Sequence, residues 1–213
     1  MKKTATGIVL FGDVIRSRDD APTSTDWLRT LTRDLERAYP SDERLAPFAF
    51  TQGDELQGLL APTADPFVAV LRGALHPDRR PMRWAISVGT IDSGHGPATE
   101  RTGQAFLDAR ELVEASRARR DRLLVRVGAE PADTLLDDLA PLLGDLLEEL
   151  TDRQRELARL MLLDGRRRSE AAETIGVSRA TVSVMAERAR IRRIEGLAAV
   201  LRRIVRDAVD AGP

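Results

Sequence analysis

The stretch from Phe48 to Leu60 is the sequence feature that most constrains the fold of this chain. Two apolar segments flank a short turn that contains Gly53, Asp54 and Glu55. Glycine beside an acidic residue allows the positive φ that a tight hairpin turn needs. The pattern therefore predicts two neighbouring antiparallel strands between about residues 46 and 60, with the carboxylate of Asp54 exposed at the turn.

A second apolar run, from Gly7 to Gly12, ends at Asp13 and predicts a central strand that is buried on both faces. The remaining patterns predict a helix at 26–39 capped by Ser24 or Thr25, a helix opened by Asp65 and Pro66, a strand at 82–91, a helix at 103–119 and a strand at 123–127. This alternation predicts an α+β sandwich in which helices pack on one antiparallel or mixed sheet. Asp13 and Asp54 would then converge at strand ends.

The character of the chain changes after Gly128, because everything beyond it has a helical pattern. We therefore expect two domains, at 1–130 and 131–213. Residues 151–213 hold 14 Arg, no Lys and 9 acidic residues, whereas the first 150 hold 19 basic and 25 acidic residues. An Arg-rich second domain favours a polyanionic partner, although a solvated helical surface has the same composition. The Leu-rich segment at 131–150 is interpreted as a connecting helix, a dimer seam or core packing.

A helix-turn-helix is predicted at 169–191. A capping box of Thr151 and Gln154 opens the preceding helix, which Gly165 closes. A short helix with Ala171 and Ala172 follows, then the turn at 176–178, and a third helix capped by Ser178. This spacing resembles the helix-turn-helix of sigma-factor region four, which implies binding to double-stranded DNA. A helix pair used only for packing is the alternative.

The third helix of this motif would present its outward side to a major groove, while the surrounding arginines would meet phosphates. The predicted DNA-binding residues are Arg166, Arg167, Arg168, Ser178, Arg179, Ala180, Thr181, Ser183, Arg188 and Arg190, with Val184, Arg192 and Arg193 beside them.

Composition excludes several kinds of chemistry. The chain has no Cys, and His76 and His95 are its only imidazoles, so thiolate catalysis, Cys-ligated zinc and a His-based triad have little support. No apolar stretch approaches the roughly 20 residues of a membrane span. The short apolar run after the N-terminus is not typical of a signal peptide. A cytoplasmic protein without membrane contact is expected.

Four segments of the first domain, at 9–15, 51–56, 83–89 and 103–110, resemble the successive motifs of class III nucleotidyl cyclases. The chain as a whole resembles the SatD family, which pairs such a cyclase-like domain with a DNA-binding tail. The resemblance implies a ferredoxin-like or nucleotidyl-cyclase-like sandwich followed by an all-α helix-turn-helix domain. It also implies a homodimer, because cyclases of this class complete their site across a dimer interface.

Carried over by position, Asp13 and Asp54 match the two metal carboxylates of the cyclases, with the carbonyl of Val14 as a further oxygen ligand. Such ligands suit Mg²⁺ that bridges a nucleotide triphosphate. Arg110 matches the arginine that stabilises transition-state charge. Arg16 and Ser17, in the loop after Asp13, are candidate phosphate contacts. Asp13 and Asp54 could instead only cap strand ends and turns.

Two departures from the cyclase pattern bear on activity. Phe50 occupies the position of the base-selecting Lys, and Phe106 occupies the position of the Asn, so neither can hydrogen-bond a base or a ribose. We therefore expect a DNA-binding regulator whose degenerate cyclase-like domain binds a nucleotide or another phosphorylated ligand, or dimerises, without turnover. An active metal-dependent cyclase with a DNA-binding appendage and a purely structural dimerisation domain are the alternatives.

Overall fold

The structure, a computed structural model, describes residues 4–15, 21–51 and 55–211. Within these residues the chain is α+β, with five strands and eight α-helices. The strands are β1 (Thr4–Val14), β2 (Arg44–Phe50), β3 (Glu55–Leu60), β4 (Met82–Asp92) and β5 (Leu123–Arg126). The helices are α1 (Ala21–Ala38), α2 (Phe67–Ala74), α3 (Gln104–Arg119), α4 (Ala132–Glu148), α5 (Asp152–Leu162), α6 (Arg168–Ile175), α7 (Arg179–Arg188) and α8 (Ile191–Ala211).

The strands form one mixed sheet in the order β2-β3-β1-β4-β5. The central strand β1 is antiparallel to both β3 and β4, and β5 is parallel to β4. The first four strands with α1 and α2 have the strand order of the ferredoxin-like split βαβ arrangement. The expected α+β class with a sheet region followed by a helical region is confirmed, as is the hairpin that joins β2 to β3.

Helices cover both faces of the sheet, which explains the continuous apolar run of β1. Ile8 and Leu10 face a core shared with α1 and α2, whereas Val9 and Phe11 face a second core shared with α3. Successive side chains of a strand point to opposite faces, so a strand covered on both sides must be apolar throughout. β1 is accordingly buried from Gly7 to Val14.

The helical region is packed onto the sheet region through α4. A Cβ at Gly144 would lie 2.8 Å from the Cβ of Arg122 and 3.2 Å from the backbone nitrogen of Leu123, so the glycine permits this close approach of α4 to β5. The sheet core that faces α1 and α2 continues without interruption into the core of α4 to α8. The sheet region and the helical region, which meet near residue 130, therefore share one hydrophobic core.

A buried guanidinium joins the two regions. The side chain of Arg155, on α5, is only 4% exposed and donates hydrogen bonds to the carbonyl oxygens of Ala74, Leu147 and Leu150 at 2.6, 3.2 and 2.6 Å. These carbonyls lie at or near the C-terminal ends of α2 and α4, where backbone acceptors lack helical partners. Burial lowers the pKa of Arg155 to about 10, so it remains charged at neutral pH.

Two helix boundaries differ from expectation. The first helix begins at Ala21 rather than after a cap at Ser24 or Thr25. Proline is tolerated in the first turn of a helix, so Pro22 does not prevent this earlier start, and the apolar spacing used for the prediction begins only at Trp27. The third helix of the helix-turn-helix ends at Arg188 rather than Ile191, since Arg190 has a φ of 53° and α8 begins directly afterwards.

Candidate functional site

The helix-turn-helix is formed by α6, the turn at 176–178 and α7, and its local geometry follows from three residues. Gly176 ends α6 with a φ of 75°, a left-handed conformation that favours glycine. The hydroxyl of Ser178 accepts the backbone N–H of Thr181 at 3.0 Å and so caps α7. Ala171 is fully buried, and its small side chain suits a close crossing of helices. The predicted caps and turn are confirmed.

The outward side of α7 carries a mixed polar and apolar surface. Ala180 and Val184 lie one turn apart on the face opposite the buried residues Val182 and Ala186, and the side chain of Val184 is 50% exposed. The predicted DNA-binding residues at this surface, Arg179, Ala180, Thr181 and Arg188, are all exposed, whereas Ser183 is only partly exposed. Ser178 is exposed, but its hydroxyl is committed to the cap.

Several arginines lie close to α7. A cavity of about 610 Å³ lies between α5, α7 and the start of α8, and it brings Arg168, Ser183, Arg188 and Arg190 of the predicted set together with Arg192 and Arg193. Arg166 and Arg167 are exposed just before α6. Within the described ranges, Arg190 forms an ion pair with Glu149 at 2.9 Å, whereas no carboxylate lies within 4 Å of the guanidiniums of Arg168 and Arg188. The surface therefore retains uncompensated positive charge.

Glu187 is a residue that the sequence reasoning missed. It is exposed on α7 and lines the same cavity as Arg168 and Arg188, without an ion pair to any described residue. Its position three residues after Val184 places it on the outward side, a signal that was already present in the spacing. A carboxylate at such a position can accept a hydrogen bond from the N4 amine of cytosine.

The second cluster of charge lies on the sheet, around Asp13. The carboxylate of Asp13 is 4% exposed and accepts hydrogen bonds from Arg117 at 2.8 and 3.3 Å and from Arg83 at 3.3 Å. Arg83 is the cross-strand neighbour of Asp13 on β4, and Arg117 reaches it from α3. A buried carboxylate held by two guanidiniums is well satisfied. Neither arginine was predicted at this site.

Arg110 lies two helical turns before Arg117 and does not contact Asp13 in this arrangement. Its guanidinium lies 5.6 Å from the ring centroid of Phe11 and 3.6 Å from a carboxylate oxygen of Glu55. Phe106 is buried and packs edge-on against Phe11, with ring centroids 6.2 Å apart. Phe50 is half-buried against the core that faces α1 and α2. Both phenylalanines therefore have packing roles in this chain.

At the predicted metal position the structure describes Asp13 and Val14 but not Asp54. The side chain of Asp13 is engaged by Arg83 and Arg117, so a cation would have to displace at least one guanidinium. Within the described part of the chain, no three His, Asp or Glu side chains are grouped so as to hold a metal ion. Val14 lies in the ladder between β1 and β4. Asp54, Arg16 and Ser17 lie outside the described residues, so their predicted roles stay predictions.

Comparisons with known proteins do not assign this chain to a family. No family model matches it, and no curated protein matches it. Among solved structures, the regulator of polyketide synthase expression from Bifidobacterium adolescentis is similar at 15% sequence identity, over 96% of this chain and 82% of that chain, with a TM-score of 0.31. A similarity at that TM-score supports no conclusion about function. Among the described helices, none is long and apolar enough to cross a membrane.

Proposed function

We propose that this protein is a sequence-specific DNA-binding transcriptional regulator that acts through its helix-turn-helix. The observation that carries the proposal is the α6–turn–α7 unit, in which a glycine turn and a serine cap hold an outward helix whose surface includes Arg179, Thr181 and Val184. This is the arrangement in which a second helix enters the major groove and its N-terminal residues contact base edges.

The charge around the unit supports a nucleic-acid partner. Residues 166–193 hold eight arginines and three glutamates, and five of these arginines line one cavity beside α7. Guanidiniums that lack carboxylate partners are suited to phosphates, which they bind through paired N–H donors. Phosphate contacts would fix the position of the protein on the duplex, while α7 would select the sequence.

The test is a selection of binding sites from a random pool of duplex DNA by the full-length protein. We expect enrichment of one sequence, which the protein then binds about a thousandfold or more tightly than unrelated DNA at physiological salt. A matched control replaces Ala180 and Val184 with Glu on the exposed face, which keeps the fold and places two negative charges toward the groove. Failure to enrich any sequence with the wild-type protein contradicts the proposal.

The sheet region is proposed to regulate DNA binding by holding a phosphorylated ligand, without turning it over. Three arginines support this part of the proposal, because Arg83 and Arg117 meet at Asp13 and Arg110 lies exposed on the same helix as Arg117. A phosphate could compete with Asp13 for these guanidiniums. The packing roles of Phe50 and Phe106 argue against cyclisation, which needs an aligned ribose hydroxyl.

Titration calorimetry with nucleoside mono-, di- and triphosphates, with and without Mg²⁺, tests the ligand. We expect binding of at least one nucleotide, weakened by Arg117→Met and by Asp54→Ala. A wild-type protein that binds none of them, or variants that bind equally well, would remove the ligand from the proposal. Product formed from ATP or GTP, and lost in Asp13→Ala, would instead establish the enzyme alternative.

A homodimer completes the proposal. Two helix-turn-helix units related by a two-fold axis would contact two half-sites about one helical turn of DNA apart, which single units cannot do. The selected sequence is therefore expected to be a palindrome or near-palindrome.

A further inference from the structure

Helices α4 and α8 form a layer whose outer surface carries exposed apolar side chains. The two helices pack against each other. They run antiparallel, since the ion pair of Arg190 with Glu149 places the start of α8 beside the end of α4. Leu135 and Leu142 lie two turns apart on one face of α4 and are 46% and 51% exposed, and Val200 on α8 is 47% exposed.

Only one side of this layer is used within the chain. Leu136, Ala140 and Leu143 of α4 are fully buried in the core, and Leu201 of α8 joins them there. Leu139 and Leu146 are partly buried and pack against the same core. Leu135 and Leu142 are thus the large apolar side chains that α4 leaves exposed beside this core.

Small side chains occupy part of the outer face of α8. Gly196 lies inside the helix, where glycine destabilises relative to alanine, and a Cβ placed there would meet nothing within 4 Å among the described residues. Ala199 is exposed beside it. The small size of these residues serves no contact that the described chain makes. Together with Val200 they form a shallow saddle, defined here as residues 196, 199 and 200, which suits a large side chain from outside.

The charges of the two helices are complementary. Asp133, Asp137 and Glu148 of α4 are engaged by other parts of the chain, which leaves Asp138 and Asp145 exposed. On α8, Arg202 pairs with Asp65, whereas Arg203 is exposed and has only the equally exposed Asp207 at 3.7 Å. Asp138 and Asp145 flank Leu142 on the exposed side of α4, and Arg203 follows the saddle by one turn on α8. An α4 surface is therefore matched both in shape and in charge by an α8 surface, while two α4 surfaces would repel each other.

We propose that the occupant of this surface is a second copy of the chain, in a two-fold arrangement in which α4 of each copy packs on α8 of the other. Leu142 of one copy fills the saddle of the other, and, because the two helices are antiparallel, Asp138 faces Arg203. Such an interface is isologous and closes at the dimer. The inference deepens the homodimer of the proposed function and depends on DNA binding only for the consequence that both α7 helices face the same duplex.

Sedimentation velocity of the full chain over a wide range of concentration tests the interface. We expect a dimer for the wild type, and Leu142→Glu or Val200→Glu to weaken dimerisation at least tenfold while circular dichroism stays unchanged. Leu107→Glu is the matched control, because Leu107 is 59% exposed on α3, away from this surface. A wild type that stays monomeric, or a control that dissociates the dimer as strongly as Leu142→Glu, overturns the proposal.

A charge exchange identifies the pairing. Asp138→Arg alone and Arg203→Glu alone should each weaken the homodimer, because each places like charges opposite one another twice. A mixture of the two variants should form a heterodimer, since both contacts then join opposite charges. Mixed variants that stay monomeric contradict the proposed pairing of α4 with α8. Selection of DNA sites is measured separately, so a dimer that binds no DNA refutes the proposed function and leaves this interface standing.

Discussion

Two clusters of arginine in this molecule differ in what surrounds them. On the sheet, Arg83 and Arg117 close on the buried carboxylate of Asp13, so the charges are satisfied within the chain. Around α7, Arg168 and Arg188 are exposed and form no ion pair with a described carboxylate, although Glu187 lines the same cavity. In the first arrangement the carboxylate is paired within the chain, whereas in the second the guanidiniums are exposed to the partner that we propose.

The difference separates the consequences of mutation. Removing a guanidinium from Asp13 leaves a buried charge with fewer partners, which costs stability. Removing an exposed arginine leaves no buried group without a partner. We therefore expect the free energy of unfolding to stay nearly unchanged and only the affinity for a partner to fall. In the proposed function, a ligand of the sheet region would also have to compete with Asp13, whereas DNA would meet arginines that are already exposed.

The largest effect on stability is expected at Arg155, which joins the two regions. Arg155→Met keeps the packing of the aliphatic stem but leaves the carbonyls of Ala74, Leu147 and Leu150 without this donor. We expect a loss of about 3 kcal/mol or more in the free energy of unfolding, measured with urea. Arg153→Met, two residues earlier and 65% exposed, should change it by less than about 0.5 kcal/mol. Equal effects of the two variants would show that Arg155 does not join the regions.

The Asp13 cluster should show the stability effect without a DNA effect. Arg117→Met leaves Arg83 as the remaining partner of Asp13 among the arginines described here, and should cost about 2 kcal/mol in the free energy of unfolding. The affinity of the folded protein for its selected DNA site should stay within about twofold. Arg120→Met, at an exposed position three residues further on, is the control for a change of charge on this surface. A large loss of DNA affinity in Arg117→Met alone would break the separation of the two clusters.

The opposite behaviour is expected at Arg167, which is exposed before α6. Arg167→Ala should lower the salt dependence of DNA binding by about one unit of slope, because one phosphate contact and its released counterion are lost. Its free energy of unfolding should change by less than about 0.5 kcal/mol. Arg29→Ala, 62% exposed on α1, should leave the slope unchanged. If the slope falls equally in both variants, Arg167 contributes no more to phosphate binding than an exposed arginine on α1 does, which contradicts the prediction.

The smallest effect is a dependence on pH at the junction of the two regions. Burial lowers the pKa of His76, opposed by Asp78 and Asp34 and assisted by Arg159. Its Nδ1 atom accepts hydrogen bonds from the Trp27 side chain at 3.4 Å and from the backbone of Asp78 at 3.1 Å, which a proton there would abolish. The folded state therefore binds a proton at His76 less tightly than the unfolded state does. The contribution of neutral His76 to the free energy of unfolding is complete above pH 6.5 and declines as pH falls below that value.

We expect this decline to be less than about 1 kcal/mol between pH 7.5 and pH 5, since His76 is only half-buried. His76→Gln should flatten the pH profile of the unfolding free energy relative to the wild type. His95→Gln, at an exposed position, should leave the profile unchanged. A profile that His76→Gln does not alter would remove His76 as its cause.

Local signals explain what could be predicted from the sequence. The hairpin follows from a glycine and acidic residue between apolar runs, and α7 follows from Gly176 and Ser178, each of which acts within a few residues. These signals gave the order of the elements and the helix-turn-helix. The outward position of Glu187 follows from the same local spacing, but a single acidic residue among many arginines carries no distinct motif of its own.

Long-range contacts explain the rest. The pairing of Asp13 with Arg83 requires the register of β1 against β4, and its contact with Arg117 requires the packing of α3 across the sheet. The hydrogen bonds of Arg155 depend on the ends of two other helices. No pattern along one segment specifies such contacts, so the sequence could not predict that Arg83 and Arg117 hold Asp13, and the metal role of Asp13 and Asp54 stays a prediction.

The central claim is that α7 reads base sequence, and Arg179 tests it most directly. Fluorescence anisotropy would measure the binding of wild type and Arg179→Ala to the selected site and to each of its single base-pair variants. We predict that the wild type discriminates at every position of the half-site, and that Arg179→Ala binds the site about tenfold or more weakly and loses discrimination at one base pair. An equal loss of affinity on all sequences would contradict base reading by Arg179.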